Sequence, residues 1–387
     1  MRFFIVFLLL SLLPSTLASA EEALSLELSQ ALSLYDDGQL LEAYSRFKDY
    51  YVQNPAQKEA AFLLALSKWK MMWLSTYNSD DKKEVMDLLE KVQAMCEPIM
   101  EKDLAAHFYY AASIGVQAQI AATDGDWWQT AQLGKKMKHH AQQILKVDPE
   151  YYKANYLLGS FNYFADALPG YLKFLRSLLF LPGGDRKEGS QQLVLAFQKG
   201  GLVEGEAGKT LAIIYTYYEK RPDYGIQMCN LVLASHPKSY EVGLYKGINL
   251  YFNESWEEAE QWLQSVRKEV QQYSELHESK GIVPVYMPLE REIRYWICRS
   301  LIQQKKFDEA RLMLQELLDP PIHQPYWLMR GILLSQAQLE YEQGNSEAAE
   351  RKIETVLRWK DVKDSHEKAN RLRNKQGKVD LFEIDFL

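Results

Sequence analysis

Apolar residues recur at helical spacing along most of the chain, and turn-forming residues interrupt them at regular intervals. In the first clear unit, Ala31 and Ala43 are twelve residues apart on either side of Gly38. Small residues that face each other let two antiparallel helices approach closely, and Phe47 fills the space beside them. Pro55 ends the second helix because its ring cannot continue the hydrogen-bond ladder. This pattern predicts an α-helical hairpin.

The same layout returns later in the chain. Gly247 and Ala259 are again twelve residues apart, and similar units span 206–237, 291–317 and 330–356. Several units that agree in phase are typical of a stacked helical array. The layout resembles the tetratricopeptide-repeat (TPR) family over most of the chain. That resemblance implies an all-α, TPR-like helical-hairpin solenoid whose concave surface receives peptides or partner helices.

Residues 168–189, LPGYLKFLRSLLFLPGGDRKEG, break the repeat pattern after the helix predicted over 152–164. Three interpretations compete for this stretch: a phosphate-binding glycine loop, a membrane contact and an inserted amphipathic helix. Its Gly-Gly-Asp sequence predicts a turn followed by a helix whose first turn is capped by Asp185. We therefore expect a central inserted amphipathic helix and a capped helix after it.

The inserted segment also has the composition of a surface-binding helix. Its candidate contact residues for a membrane surface are Tyr171, Lys173, Phe174 and Arg176. Basic and apolar side chains between helix breakers suit an interfacial helix, although the same face could close the end of a repeat. The segment is similar to a stretch of the tetratricopeptide-39 and mitochondrial inclusion-clearance proteins, a likeness that implies no site residue.

The N-terminus has the pattern of an export signal. Arg2 precedes an apolar run over 3–13, Pro14 breaks that run, and Ala-Ser-Ala over 18–20 gives a cleavage pattern before Glu21. The run is short for a membrane span, although an uncleaved anchor is the alternative. We expect an exported chain, located in the periplasm of a Gram-negative bacterium or secreted.

Five regions follow from these patterns. They are the signal at 1–20, N-terminal TPR-like hairpins at 21–149, a central region at 150–237 with its insertion at 168–189, C-terminal repeats at 238–359, and a polar capping helix with an acidic-hydrophobic tail at 360–387. A second insertion, at 267–288, is predicted to lengthen one helix and then to cross by an irregular strand over 282–287.

Charge and motifs argue against several functions. The formal net charge of −7 leaves no basic stripe for phosphates, so we expect no nucleic-acid partner. Residues 205–210 read GEAGKT, but a phosphate-binding loop needs glycine where Val203 stands and a strand leading into it. We interpret this stretch as a helix start with an exposed Lys209.

The histidines and cysteines suggest no catalytic or metal site. His139 and His140 are adjacent, so they point in different directions on a helix, and the histidines are expected on solvated faces. Cys96, Cys229 and Cys298 fall on predicted apolar faces, where a free thiol acts as a small hydrophobe. One disulfide with one free thiol is the alternative. We expect no enzyme activity, cofactor or metal.

Aromatic residues form the strongest candidate binding feature. Position twelve of the predicted first helices is Tyr35, Tyr163, Tyr217, Tyr251 and Tyr341, with Ile302 as the exception, and Phe164, Tyr218 and Phe252 stand beside them. This aromatic column either lines a partner-binding groove or packs between repeats.

The sequence therefore predicts a non-catalytic scaffold that binds a protein or peptide in its concave groove. Two alternatives remain open at this point. One is a membrane-surface adaptor that uses residues 171–181, and the other is an enzyme or small-ligand binder with a site between the repeats and the insertions.

Overall fold

The computed structural model describes residues 24–74, 79–167, 183–278, 286–317, 326–361 and 364–374. Seventeen α-helices lie in these ranges. They are α1 Leu26–Asp36, α2 Leu40–Gln53, α3 Lys58–Leu74, α4 Ser79–Cys96, α5 Leu104–Thr123, α6 Trp127–Val147, α7 Tyr152–Ala167, α8 Arg186–Lys199, α9 Glu204–Tyr217, α10 Pro222–Ser235, α11 Tyr240–Phe252, α12 Trp256–Glu278, α13 Met287–Gln303, α14 Phe307–Glu316, α15 Tyr326–Glu342, α16 Ser346–Arg358 and α17 Ser365–Asn374. A short 3-10 helix, Gly201–Val203, joins α8 to α9.

Successive helices pack as hairpins, and the hairpins stack side by side. Each pair from α1–α2 to α15–α16 is in contact, and most first helices also touch the first helix of the next hairpin. Helix α17 packs against α15 and α16 at the end of the stack. Within the described ranges the chain has no strand. The predicted all-α helical-hairpin solenoid is confirmed.

Small residues bring the two helices of a hairpin together, as the repeat pattern predicts. Ala31 and Ala43 are buried at the contact between α1 and α2. In the sixth hairpin, a Cβ added to Gly247 would lie 2.2 Å from Cδ2 of Leu263. Such a distance leaves no room for even a methyl group, so glycine sets how closely α11 and α12 approach.

The array also closes on itself. Helix α3 packs against α13, which lies five hairpins later in the stack. The backbone N–H of Tyr286, immediately before α13, donates to the carbonyl of Leu74 at the end of α3, with a nitrogen–oxygen distance of 2.7 Å. The structure thus adds a contact between distant hairpins to the neighbour contacts of a solenoid.

Several predictions fall outside the described residues. These are the export signal, the contact residues Tyr171, Lys173, Phe174 and Arg176, and the acidic-hydrophobic tail. Across the described ranges, none of the helices combines the length and apolar character that crossing a membrane requires.

Candidate partner-binding site

The aromatic column divides into a buried part and an open part. Tyr35, Tyr163, Tyr251 and Phe252 are buried. Phe164, Tyr217 and Tyr341 are half-buried, whereas Tyr218 keeps 41% of its surface exposed. Whether the column binds a partner stays a prediction, but only its open part can offer a surface without rearrangement.

The buried members pack as aromatic residues at helical spacing commonly do. The Tyr251 ring lies 5.4 Å from Phe252 and 5.3 Å from Trp296 between ring centroids. Its hydroxyl accepts a hydrogen bond from the Arg299 guanidinium at 2.8 Å. These contacts join α11 to α13, so this part of the column holds neighbouring hairpins together.

Two members of the open part, Phe164 and Tyr218, form a cluster with the buried Tyr163, and we call these three rings the aromatic cluster. Centroid distances are 5.4 Å for Tyr163–Phe164, 5.6 Å for Phe164–Tyr218 and 6.0 Å for Tyr163–Tyr218, all in edge-to-face geometry. Phe164 lies near the end of α7, and Tyr218 directly follows α9. The cluster therefore bridges the ends of two first helices and leaves the Tyr218 ring partly open to solvent.

Charged side chains border the aromatic cluster. The Tyr163 hydroxyl donates a hydrogen bond to the Glu219 carboxylate, and burial followed by this carboxylate raises the pKa of Tyr163 above its ordinary value. The Arg186 guanidinium lies 5.5 Å from the centroid of the Tyr163 ring and 3.7 Å from Asp166 Oδ2. Its buried Nε–H has no hydrogen-bond acceptor among the residues that the structure describes. The cluster thus combines an apolar face with a partly exposed cationic side chain.

The local sequence explains how Arg186 reaches this position. The side chain of Asp185 accepts a hydrogen bond from the backbone N–H of Glu188 at 2.9 Å, which confirms the predicted N-cap. A Cβ on Gly184 would lie 2.0 Å from the carbonyl oxygen of Asn162, so only glycine allows the turn to pack against α7. The cap and the glycine together start α8 beside the aromatic cluster.

Sequence reasoning missed Arg186 and Glu219 as site residues. Arg186 directly follows the correctly predicted Asp185 cap, so its position at the start of α8 could have been inferred from the sequence. Nothing in the sequence indicated that α7 and the residues after α9 would bring Tyr163 to Glu219, which is 56 positions later.

A buried ion cluster occupies the contact between the first hairpin and α9. Lys209 Nζ lies 3.2 Å from Asp36 Oδ1 and 3.2 Å from Glu206 Oε1, and only 4% of Lys209 is exposed. Burial opposes the charge of Glu206, but the nearby Lys209 outweighs it and lowers the pKa of Glu206 to about 2. The prediction of an exposed Lys209 was wrong, because closure of the array brings Asp36 onto this helix.

The histidine prediction was also wrong for three residues. His107 and His140 are buried, with Nε2 of the first 2.9 Å from Nδ1 of the second. His277 is buried and lies 2.9 Å from Glu42. Packing between helices that the sequence does not show to be neighbours removes these rings from water. No group of three or more His, Cys, Asp or Glu side chains in the described part of the chain could hold a metal ion.

The three cysteines are free thiols and are buried, as expected for small hydrophobes. Burial raises the pKa of Cys96 and of Cys229 to about 12. Because the thiolate is the reactive form, neither residue has the properties of a nucleophile.

The sequence and the structure of the chain were both compared with those of known proteins. A family described as "RMD1-3: Regulator of microtubule dynamics protein 1-3" matches residues 27–182 of the chain. No curated protein sequence matches it. Among solved structures, a human IFIT1 dimer with m7Gppp-AAAA is 15% identical, covering 93% of this chain and 76% of that chain at a TM-score of 0.43.

A second solved structure, the P58(IPK) TPR domain, is 14% identical, covering 91% of this chain and 99% of that chain at a TM-score of 0.22. Because both TM-scores lie below 0.5, the fold assignment rests on the stacked hairpins themselves. The chain has a TPR-like helical-repeat fold and is similar over residues 27–182 to the regulator of microtubule dynamics family.

Proposed function

We propose that the chain is a non-catalytic scaffold that binds a protein or peptide partner at the aromatic cluster. The main support for this proposal is that Tyr218 keeps 41% of its surface exposed, within a cluster whose other rings are held in place by packing. A rigid ring that presents both an apolar face and a hydroxyl binds a partner at little cost in conformational entropy. Because folding already fixes the positions of these rings, binding a partner has to order few further side chains.

The chemistry of the cluster suggests what the partner presents. An apolar side chain would pack against Phe164 and Tyr218, and a carboxylate would approach the partly exposed Arg186 side chain. We propose a protein rather than a nucleic acid, because a formal net charge of −7 disfavours phosphate binding.

Site-specific photo-crosslinking in the native host tests this proposal. We expect a photoreactive residue in place of Tyr218 to give one discrete adduct with a partner protein. Leu312 is the control position, because it is exposed on α14, far along the chain from the aromatic cluster. Absence of an adduct at position 218, or the same adducts from both positions, would count against the proposal.

We also propose that the chain is exported after cleavage before Glu21, which the pattern of residues 1–20 supports. N-terminal sequencing of the protein from its host checks this directly. A mature chain that still begins at Met1 would contradict export by cleavage.

Membrane-surface binding is a second candidate function. The amphipathic sequence at 171–181 connects α7 to α8, and both helices contribute side chains to the aromatic cluster or its border. Cosedimentation or flotation with anionic liposomes would reveal such binding, and a protein that stays free of the liposomes at low salt would exclude it.

A further inference from the structure

The turn of the first hairpin is inserted between later hairpins of the array. Gly38 has a φ of +75°, and a Cβ there would lie 2.5 Å from the carbonyl oxygen of Lys238. The Tyr286 hydroxyl donates a hydrogen bond to the Gly38 carbonyl at 2.7 Å. We call the contact of hairpins one and two (α1 to α4) with hairpins five to seven (α9 to α14) the seam.

Hydrogen bonds along the seam converge on the extended end of α12. The Tyr273 hydroxyl accepts from the backbone N–H of Leu41 at 3.0 Å and donates to Glu42 Oε2 at 2.7 Å. His277 Nε2 lies 2.9 Å from Glu42 Oε1. Helix α12 is 23 residues long, and its predicted lengthening carries both Tyr273 and His277 to the seam.

Ion pairs cross the seam at two further points. Lys209 of α9 pairs with Asp36 at the end of α1, and Lys70 of α3 pairs with Glu241 of α11 at 2.7 Å. Tyr240, Tyr273 and Tyr286 fill the space between them, with ring centroids 5.3 to 6.0 Å apart. The seam therefore includes polar groups and tyrosines of the kind found in contacts between separable domains.

We propose that the seam is a releasable closure. Hairpins one and two separate from hairpins five to seven while every hairpin stays folded, and opening uncovers Tyr240, Tyr273 and Tyr286. The physical basis is that each hairpin of a helical array is stabilised by its neighbours, so the seam is not required for any hairpin to fold. Small rotations at the intervening hairpins add up to the movement that opening needs.

Hydrogen exchange of the wild-type protein tests the proposal directly. The N–H of Leu41 lies in the first turn of α2, and the N–H of Tyr286 lies just before α13, so each donates across the seam instead of to its own helix. The N–H of Ile248, in the middle of the buried helix α11, reports unfolding of the array. We expect the two seam amides to exchange at least tenfold faster than Ile248 under native conditions. Exchange of all three at one rate would mean that the seam opens only by unfolding, which would overturn the proposal.

A pair of matched variants separates seam opening from general destabilisation. Glu42 accepts from Tyr273 and contacts His277 across the seam, whereas Glu350 accepts from Tyr341 and Arg373 within the last repeat and α17. The two carboxylate side chains are equally exposed, at 36%. We expect Glu42→Ala to accelerate exchange at Leu41 and Tyr286 several-fold and to leave Ile248 unchanged, and Glu350→Ala to leave all three unchanged. Equal acceleration at all three amides in Glu42→Ala, or none, would overturn the proposal.

Discussion

The contact between His107 and His140 shows how a single residue pair can depend on solution conditions. With the two ring nitrogens 2.9 Å apart, one ring donates and the other accepts, so at least one nitrogen must be unprotonated. Burial, and then the neighbouring His107, lowers the pKa of His140 from 6.5 to about 4. Burial also lowers the pKa of His107.

This pair predicts a loss of stability in mild acid. The unfolded chain takes up a proton on His140 near pH 6.5, whereas the folded chain does so near pH 4. The folded state therefore binds fewer protons in this window, and the free energy of unfolding falls as the pH drops from about 6.5 towards 4. Each pKa unit corresponds to 1.36 kcal/mol, so the free energy of unfolding is lower by about 2 to 3 kcal/mol at pH 4.

Denaturant unfolding of wild type and His140→Gln at pH 7, 6, 5 and 4 measures this dependence. The variant lacks the titrating group, so its stability should change less steeply with pH than that of the wild type. Parallel pH profiles for the two proteins would show that His140 does not couple to folding.

Lys209 shows that the spacing of residues along a helix can reveal which face is buried but not which distant residue packs against it. Gly205, Lys209 and Ala212 follow one another at spacings of four and three, so they share a face of α9. That spacing signals a packed face, but it does not identify Asp36, 173 positions away, as the partner. Burial of Lys209 could have been inferred from the sequence, whereas its ion pair could not.

At the scale of helices, the hairpins follow from the sequence because their contacts are local. Small residues at facing positions, prolines after second helices and the Asp185 cap each act within one or two helices. The same local signals placed the aromatic column correctly at the ends of first helices. They could not tell which rings the neighbouring hairpins would bury, because that depends on how the array curves.

A substitution at Gly247 tests the close contact between α11 and α12 most directly. We expect Gly247→Ala to destabilise the protein by about 1 to 3 kcal/mol, because the new methyl group collides with the fully buried Leu263. Gly134→Ala in α6 is the matched control, since its Cβ would approach the Phe161 ring at 3.3 Å and needs only a small adjustment. Equal unfolding midpoints for both variants would contradict the close approach of α11 and α12.

At the scale of the whole molecule, closure distinguishes this array from an open solenoid. The seam joins residues such as Gly38 and Tyr286, which are 248 positions apart. No periodic pattern marks such a contact, since it depends on the summed rotation of the hairpins between its two sides. The seam covers the ends of the first helices in hairpins one and two, whereas Tyr218 of the aromatic cluster, at hairpin five, stays exposed.

Paired alanine variants test partner binding at the aromatic cluster once crosslinking has identified the partner. Tyr218 and Tyr224 have similar exposures, 41% and 45%, but Tyr224 stacks on Tyr215 outside the cluster. Titration calorimetry on both variants is the decisive measurement. We expect Tyr218→Ala to weaken binding by about tenfold or more, the 1.4 kcal/mol expected of an anchoring ring, and Tyr224→Ala to bind as the wild type does. Unchanged affinity in Tyr218→Ala, or an equal loss in both variants, would contradict this expectation.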